Sequence, residues 1–431
     1  MQTHFTQAQL ADSDTAVSEK ILRKCVHCGF CTATCPTYTL LGDELDSPRG
    51  RIYLIKDMLE NDRPASDQVV KHIDRCLSCL SCMTTCPSGV NYMHLVDHAR
   101  RHIEKTYRRP WPQRLLRGLL GVVLPNPALF RLSLRGAGLL RPLARWLPLR
   151  VQVLLKLAPM RLPRASAVDR PQVFHAQGAR RLRVALLNGC AQQVIAPQIN
   201  EATIRLLVRH GCEVVVAVGA GCCGALRHHI GQDGHSQARA NILAWSREIE
   251  SGGLDAIVIN TSGCGTTVKD YGFMFRDDPE LAEPARQVSD LAHDITELMD
   301  EIGLQAPSVE TGLRIAYHSA CSMQHGQQIR DQPKRLLSAA GFTVLDVPEG
   351  HLCCGSAGTY NLLQPAIASR LRDRKVANIT HIAPQLVATG NVGCITQIAS
   401  GTAIPVVHTV ELLDWVTGGP RPAALPATAS G

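Results

Sequence analysis

One cysteine pattern occurs twice in the first hundred residues, and it constrains this part of the chain more than any other feature. Each copy reads Cys-x2-Cys-x2-Cys-x3-Cys-Pro; the first begins at Cys25 and the second at Cys76. In the bacterial form of this spacing, three thiolates bind one [4Fe–4S] cluster and the fourth binds the neighbouring cluster. The duplicated pattern therefore predicts two [4Fe–4S] clusters whose ligands are exchanged between the two motifs.

The crossed arrangement gives two groups of four thiols. The first ligand set is Cys25, Cys28, Cys31 and Cys86, and the second ligand set is Cys76, Cys79, Cys82 and Cys35. Structural zinc would use two cysteine pairs and leave the remaining cysteines unexplained. Disulfides are disfavoured because the polar N-terminus lacks the apolar stretch of a secretory signal, which indicates a reducing compartment. No catalytic side chain is predicted.

The insert between the two motifs predicts a helix. It is forty residues long, and Ile52, Ile55, Met58 and Leu59 recur within it at helical spacing after Pro48, which suits a first helical turn. We therefore expect a helical ferredoxin-type domain, as in respiratory dehydrogenase subunits.

Two arginines of the insert, Arg49 and Arg51, have two interpretations. They could raise the reduction potential of a cluster or face a partner. Alternatively, they could belong to a solvated or salt-bridged turn, since exposed ion pairs are common and contribute little.

An internal repeat occupies residues 183–418. Each copy has an apolar strand that ends in a cysteine, at Cys190 or Cys321, followed after 31 residues by a Cys-Cys-Gly triplet and later by a third strand. Strands that alternate with helical stretches indicate a parallel α/β sheet, whose ligands usually bind at the carboxyl ends of the strands.

Each repeat offers four candidate metal or redox thiols at those strand ends. They are Cys190, Cys222, Cys223 and Cys264 in the first repeat, and Cys321, Cys353, Cys354 and Cys394 in the second. An additional iron–sulfur cluster, zinc, and free or redox-active thiols are all compatible with the pattern. Gly219 to Gly224 matches the dinucleotide motif GxGxxG, but the second repeat keeps only the cysteine pair, so we interpret the match as incidental.

The positive charge of the chain is concentrated in one segment. The net charge is +8, and residues 105–168 contain thirteen Lys and Arg but no Asp or Glu. This segment is also rich in leucine, which is typical of an amphipathic surface that contacts anionic lipid or of helices packed against protein. No stretch is long and apolar enough to predict a transmembrane helix.

These patterns predict an α+β multidomain protein with two tandem α/β repeats that contain parallel sheets. The expected parts are a helical ferredoxin domain with two clusters, a basic amphipathic helical connector, a first repeat, a second repeat and a disordered tail, at residues 15–104, 105–182, 183–305, 312–418 and 419–431.

The repeats resemble the cysteine-rich CCG domain of heterodisulfide-reductase-like proteins. That family has a CxxC pair at the third strand end, whereas this chain has Thr261 and Asn391 at the first position of each pair. The stretches CVHCGFCTATCPTYTLLGDELDSPRGRIYLIK, RCLSCLSCMTTCPSGV and HLCCGSAGTYNL together resemble the iron–sulfur subunits of bacterial glycolate oxidases.

The resemblance implies an electron-transfer subunit of an oxidoreductase complex that acts on the CH–OH group of 2-hydroxy acids. Two flavoprotein-type subunits would be partners, one of them oxidising glycolate, or D-lactate as a second candidate. This chain would pass electrons through its clusters toward a membrane quinone or a similar acceptor, on the cytoplasmic face of the inner membrane. It would hold no substrate site and bind no nucleic acid. A self-contained thiol–disulfide reductase and a redox-sensing module are the alternatives.

Overall fold

The computed structural model describes residues 1–146, 155 and 161–425. The chain forms two compact units. The ferredoxin unit comprises Met1–Gly121, Leu226–Asp233 and His351–Lys375, and the sheet unit comprises Val122–Ala225, Gly234–Gly350 and Val376–Gly431. The predicted boundary at residue 105 thus differs from the division at Gly121, and short segments of both repeats belong to the ferredoxin unit.

The N-terminal part of the ferredoxin unit is entirely helical in secondary structure. Its helices are α1 (Gln7–Leu10), α2 (Ser13–Lys24), α3 (Phe30–Ala33), α4 (Pro36–Leu41), α5 (Pro48–Glu60), α6 (Asp67–Asp74), α7 (Ser81–Thr85), α8 (Tyr92–Thr106) and α9 (Trp111–Val123), with a 3-10 turn at Glu44–Asp46.

Helix α5 is the helix predicted from the insert between the motifs. It begins at Pro48, and the Ser47 hydroxyl caps it by accepting a hydrogen bond from the Gly50 backbone N–H. The four apolar residues at helical spacing are buried in the core of this unit together with residues of α2, α6 and α8. The predicted helical ferredoxin-type domain is therefore confirmed.

The sheet unit contains two sheets, one from each repeat. Its strands are β1 (Gln172–Phe174), β2 (Leu182–Leu186), β3 (Cys212–Val216), β4 (Ala256–Ile259), β5 (Ala292–Asp294), β6 (Arg314–Tyr317), β7 (Thr343–Asp346), β8 (Leu386–Thr389) and β9 (Val406–His408). The first sheet has the order β1-β3-β2-β4-β5 and the second has the order β7-β6-β8-β9. All pairings are parallel except β1 with β3, so parallel α/β repeats are confirmed.

The remaining helices follow residue 126, and three of them fall largely in the segments Leu226–Asp233 and His351–Lys375 of the ferredoxin unit. In chain order, the remaining helices are α10 (Pro127–Leu140), α11 (Ala191–Ile195), α12 (Gln198–Arg209), α13 (Ala225–His229), α14 (His235–Gly252), α15 (Ser262–Lys269), α16 (Tyr271–Met274), α17 (Ala282–Asp290), α18 (Ile295–Ile302), α19 (Gln332–Ala339), α20 (Tyr360–Leu363), α21 (Pro365–His381), α22 (Val392–Ala399) and α23 (Thr409–Val416), with a π-helical turn at Ser322–Gln327.

The two repeats share a single hydrophobic core inside the sheet unit. Val184 of β2, Ile315 of β6 and Leu413 of α23 are all fully buried in it. Helix α12 of the first repeat lies against α23, where Arg209 and Arg205 pair with the buried carboxylate of Asp414. Part of the apolar surface of each repeat is therefore buried against the other, and a second core lies within the first repeat alone.

The connector and the tail differ in part from the prediction. The connector contains α9 and α10 but also the short strand β1, an antiparallel edge that its polar surroundings did not indicate. Its residues 147–154 and 156–160 lie outside the described residues. The tail is ordered as far as Leu425, whose buried side chain joins the shared core, and residues 426–431 are not described.

No helix among the described residues is long and apolar enough to cross a membrane.

Candidate metal centres

The two cysteine motifs form loops with the same backbone conformation. In the first loop His27 and Gly29 have left-handed φ values of 56° and 85°, and in the second Ser78 and Leu80 have φ values of 51° and 61°. A positive φ at three non-glycine residues is uncommon. Both loops lead into a short helix, α3 or α7, so the sequence duplication also produces a structural duplication.

The first ligand set lines one cavity. The cavity opens to solvent and has a volume of about 30 Å³. Cys25, Cys28, Cys31 and Cys86 all contribute to its wall, together with Cys82 of the second set. Cys28 is exposed, whereas Cys25 is buried. Burial raises the pKa of the Cys31 thiol to about 11.

The second ligand set lies deeper in the same unit. Cys35, Cys76 and Cys79 are buried. Burial raises the pKa of the Cys82 thiol well above its ordinary value, and the neighbouring thiols of Cys79, Cys76 and Cys35 raise it further. Cys35 from the opposite motif is thus a neighbour of Cys82, and Cys31 of the first set also raises this pKa, so thiols of both sets lie near one another.

A buried polar network surrounds Cys35. The guanidinium of Arg51, 1% exposed, donates to the Cys35 Sγ at 3.8 Å and to the Thr37 hydroxyl at 3.0 Å. It also pairs with the Asp46 carboxylate at 3.3 Å, and its Nε donates to the His72 carbonyl. Burial lowers the pKa of Arg51, but nearby Cys76, Tyr92, Cys35 and Asp46 outweigh it and raise the pKa above its ordinary value. Arg51 is therefore salt-bridged, as one interpretation held, but it is not solvated.

Asp46 is the acidic centre of this network. Its carboxylate also accepts from Arg75 at 2.7 Å and lies 2.9 Å from His72 Nδ1. Asp43, Asp46 and His72 bring three ligand-type atoms within 4.8 Å of one another. A cation there is disfavoured because the Asp46 carboxylate already neutralises two guanidinium groups.

Sequence spacing did not indicate several groups that contact the second ligand set. The Tyr92 hydroxyl donates to the Cys76 Sγ at 3.8 Å, and the Ser78 backbone N–H donates to it at 3.5 Å. The hydroxyl of Tyr360 donates to the carbonyl of Arg75, directly before Cys76, at 2.9 Å. Tyr360 lies almost three hundred residues away in the sequence, so no local pattern could have revealed this contact.

The two thiol sets fit iron–sulfur clusters. Each set provides four sulfur atoms, the ligand type and number that a [4Fe–4S] cluster requires. Hydrogen bonds from Arg51, Tyr92 and Ser78 to ligand sulfurs are the kind of support that tunes such a centre.

The four thiols of the first repeat also lie together, inside the sheet unit. A hydrogen bond between Cys190 and Cys222, and then burial, raise the pKa of the Cys190 thiol well above its ordinary value. Hydrogen bonds to Cys222 and Cys264, and then burial, raise the pKa of Cys223 in the same direction. The thiolate is the nucleophilic form of cysteine, so these surroundings disfavour a free nucleophile. Cys212, which lies outside the motif, is buried in β3.

The loop of this site is fixed by backbone contacts. The Asn241 side-chain amide accepts from the Gly221 N–H at 2.7 Å and donates to the Cys222 carbonyl at 3.0 Å. The Tyr271 hydroxyl donates to the Cys223 carbonyl at 2.8 Å. Asn241 and Tyr271 are thus supporting residues that the cysteine pattern did not identify.

Thr261 and Asn391 hold structural positions. The Thr261 hydroxyl donates to the Gln192 side chain, which bonds the buried Asn260 amide at 2.7 Å. Asn391 caps α22 by accepting from the Gly393 N–H at 2.8 Å, and its Nδ2 donates to the Ser262 hydroxyl of the first repeat at 2.9 Å. Both side chains serve the packing of the repeats.

The cysteines of the second repeat are divided between the two units. Cys353 and Cys354 are buried in the segment that belongs to the ferredoxin unit, and the Gly355 N–H donates to the Cys353 Sγ at 3.4 Å. Cys321 is half-buried and Cys394 is buried in the sheet unit.

Two histidines near the first triplet are structural. His228 pairs with the buried Asp97 at 3.2 Å within the ferredoxin unit. Burial lowers the pKa of His229 to about 4. The His228 side chain thus attaches the segment that follows the first triplet to α8.

Two family models match the regions that contain these cysteines. A family model described as a 4Fe-4S dicluster domain matches residues 21–90, and a cysteine-rich domain model matches residues 184–269 and 315–399. A crystal structure of a hypothetical protein from Helicobacter pylori has the same fold at 10% identity, with a TM-score of 0.54 over 97% of this chain and 74% of that one.

Curated relatives extend the likeness over the whole chain. The glycolate oxidase iron-sulfur subunit of Escherichia coli (strain K12) is 44% identical over 96% of this chain and 98% of that protein. A probable glycolate oxidase iron-sulfur subunit of Bacillus subtilis (strain 168) is 29% identical over 93% and 95%, respectively. Lactate utilization protein A of Oceanobacillus iheyensis is 25% identical over 54% of this chain and 97% of that protein. The chain belongs to the family of glycolate oxidase iron–sulfur subunits, and it is an iron–sulfur component of an oxidoreductase complex.

Proposed function

We propose that this chain carries electrons from a flavoprotein subunit, which oxidises glycolate to glyoxylate, toward a membrane quinone or a similar acceptor. The observation that carries the proposal is the pair of adjacent four-thiol sets in the ferredoxin unit, with Cys82 of one set in the wall of the cavity that the other set lines. When bound, [4Fe–4S] clusters supply one-electron carriers. The residues of this chain hold, space and tune them, whereas the flavin chemistry belongs to the partner.

Ligand exchange between the motifs is part of the proposal. Cys86 completes the first ligand set and Cys35 completes the second, so each loop holds both centres. Arg51 and Thr37 support Cys35 from the buried side. Two flavoprotein-type subunits are the proposed partners. D-lactate is the second candidate substrate of the complex, supported by the likeness to lactate utilization proteins.

We further propose that the first repeat binds one more metal centre, an iron–sulfur cluster or zinc, through Cys190, Cys222, Cys223 and Cys264. The support is the convergence of these four thiols within one unit. A comparable centre in the second repeat remains a prediction from the repeated cysteine pattern. Its thiols would be Cys321, Cys353, Cys354 and Cys394.

The test is anaerobic purification of the full chain with iron, sulfide and zinc analysis and EPR spectroscopy. Two cubanes give about eight irons, and further clusters in the repeats raise the count to about twelve or more. Cys35→Ser and Cys86→Ser should each perturb a different cluster signal, with Cys212→Ser as the control. An iron-free protein, or loss of the same signal in both variants, would contradict the proposal.

The proposed location is the cytoplasmic face of the inner membrane. Helix α9 exposes Trp111, Leu115, Leu119 and Val122, which lie on one face at helical spacing. The surrounding segment is strongly basic and contains no acidic residue between positions 105 and 168. An apolar face with basic residues around it suits anionic lipid.

The test is binding of the protein to vesicles of anionic lipid, which we expect to occur. The double variant Leu115→Glu with Leu119→Glu should abolish this binding. The control variant Leu243→Glu in α14 should leave it intact.

A further inference from the structure

His318 is a buried histidine whose ring makes no hydrogen bond to the described residues. It directly follows strand β6, and its backbone N–H donates to the Ala388 carbonyl of β8 at 2.8 Å. The residue is 2% exposed, and neither ring nitrogen has a hydrogen-bond partner in the described part of the chain. Burying a polar group without a partner costs free energy, so an imidazole in this position indicates a binding role.

The first repeat has an apolar residue at the equivalent position. Leu187 stands three residues before Cys190, as His318 stands three residues before Cys321. The Leu187 backbone N–H makes the corresponding bond, to the Val258 carbonyl of β4 at 3.0 Å, and its side chain is buried in the core of the first repeat. Because a leucine fills this position in the first repeat, packing alone does not account for an imidazole in the second.

The ring of His318 lies beside a cysteine of the same repeat. A ring nitrogen of His318 and the Cys394 Sγ are within 4.8 Å of each other, and both residues belong to the sheet unit. Cys394 is buried in the first turn of α22. In a tetrahedral zinc site, bonds of about 2.0 Å to nitrogen and about 2.3 Å to sulfur place the ligand atoms about 3.5 Å apart. The two atoms are therefore close enough to bind one ion, whereas the thiols of a cubane cluster bind different iron atoms.

Asn391 has a different role, although it stands where the CCG family has a cysteine. Its Oδ1 accepts hydrogen bonds from the N–H groups of Gly393 and Cys394 at 2.8 and 3.4 Å. Its Nδ2 donates to the Ser262 hydroxyl at 2.9 Å. Asn391 thus caps α22 and orients Cys394, and the ligand missing from the cysteine pattern has its replacement at the end of the neighbouring strand, in His318.

We propose that the second repeat binds one zinc ion through mixed nitrogen and sulfur ligands, of which His318 and Cys394 are two. The inference rests on the proposed function, in which the second repeat holds a metal centre. It adds a ligand from outside the cysteine pattern and commits the centre to a single ion. Imidazole and thiolate ligands are typical of structural zinc, which has no redox chemistry, so this centre stabilises the repeat and carries no electrons.

The test is iron and zinc analysis of the full chain, purified anaerobically, together with X-ray absorption at the zinc edge. The wild type should contain at least one zinc ion per chain, with imidazole nitrogen in the coordination shell. His318→Leu, which copies the first repeat, should weaken this zinc site at least about tenfold in competition with a chelator and remove the imidazole signal. His318→Cys should keep the zinc with sulfur in place of nitrogen. The control is His381→Leu, at an exposed histidine, which should change neither quantity.

Several outcomes would overturn the proposal. They are a wild type without zinc, zinc bound by sulfur alone, and unchanged zinc affinity in His318→Leu. Loss of about four irons in place of one zinc would also overturn it, because the second repeat would then hold a cluster. If His318→Leu does not fold, His318→Cys decides, and an imidazole signal that persists in it counts against the proposal.

The EPR signals of the two ferredoxin clusters separate this inference from the relay function. They should be the same in the wild type and in every variant, because His318 lies in the sheet unit. Absence of both signals from the wild type would be a failure of the relay, and the zinc analysis would still test this centre.

Discussion

The two ligand sets of the ferredoxin unit come from the same spacing but lie in different surroundings. The first lines a cavity open to solvent, with Cys28 exposed and Arg49 in a partly exposed pair. In the second, Cys35, Cys76 and Cys79 are buried and only Cys82 reaches the wall of that cavity, and Arg51 and Tyr92 donate to the sulfur atoms of Cys35 and Cys76. The repeated motif thus provides equivalent ligands, and the insert and the distant parts of the chain provide different environments.

The difference has a consequence for electron transfer. Reduction potentials of iron–sulfur clusters depend on net charge, hydrogen bonds to sulfur and solvent exposure. The first set is accessible for exchange with a partner, and the second is tuned by fixed protein groups. Two identical motifs can therefore give two centres with different roles in one relay.

The largest expected effect is on stability, at the buried carboxylate beside the second set. Asp46→Ala leaves the guanidinium of Arg51 buried without its partner, and removing one member of a buried pair costs about 3–5 kcal/mol. Glu44→Ala, at the exposed pair beside the first set, should cost about 1 kcal/mol or less. Anaerobic thermal unfolding of the holoprotein measures both. Equal losses of unfolding free energy in the two variants would show that the surroundings of the two ligand sets do not differ as described.

The reduction potential should respond to Arg51. Arg51→Met removes a cationic donor to Cys35 and leaves Asp46 with one guanidinium partner, Arg75, where it had two, and both changes disfavour the added electron. A lost hydrogen bond of about 1.4 kcal/mol corresponds to a fall of about 60 mV in a one-electron couple. An EPR-monitored redox titration should show this fall for one cluster. Arg49→Met is the matched control, and a fall of both clusters by the same amount would argue against a local effect.

Accessibility should separate the two centres kinetically. An iron chelator added to anaerobic protein should release iron in two phases, the faster from the open side at Cys28, because three of the four thiols of the second set are buried. Absorbance of the chelate follows the release. Cys28→Ser should alter the fast phase, whereas Cys79→Ser should alter the slow one. A single phase for all the iron would remove the kinetic distinction between the sites.

The smallest expected effect concerns the neutral donor Tyr92. Tyr92→Phe removes its hydrogen bond to Cys76 without changing charge or the packing of the ring. The potential of the same cluster should fall by less than in Arg51→Met, because neutral hydrogen bonds are weaker than charge-assisted ones. The same redox titration measures it. A larger fall than that of Arg51→Met would assign the tuning to Tyr92.

The local sequence was enough to predict the elements whose causes are local. The spacing from Cys25 to Cys35 indicates which thiols a short loop can present, and Pro48 with the apolar residues that follow predicts helix α5. The equal distance from Cys190 and Cys321 to their triplets predicts the two parallel repeats. The assignment of individual thiols to individual clusters stays a prediction.

Tertiary structure alone decided what surrounds these thiols. Tyr360 reaches Arg75, Arg51 lies between Cys35 and Asp46, and Asn391 holds Ser262 of the other repeat. Spacing along the chain determines which groups a single loop or helix can present together. Burial, exposure and hydrogen bonds to sulfur arise from contacts between segments far apart in sequence, which form only when the apolar faces pack.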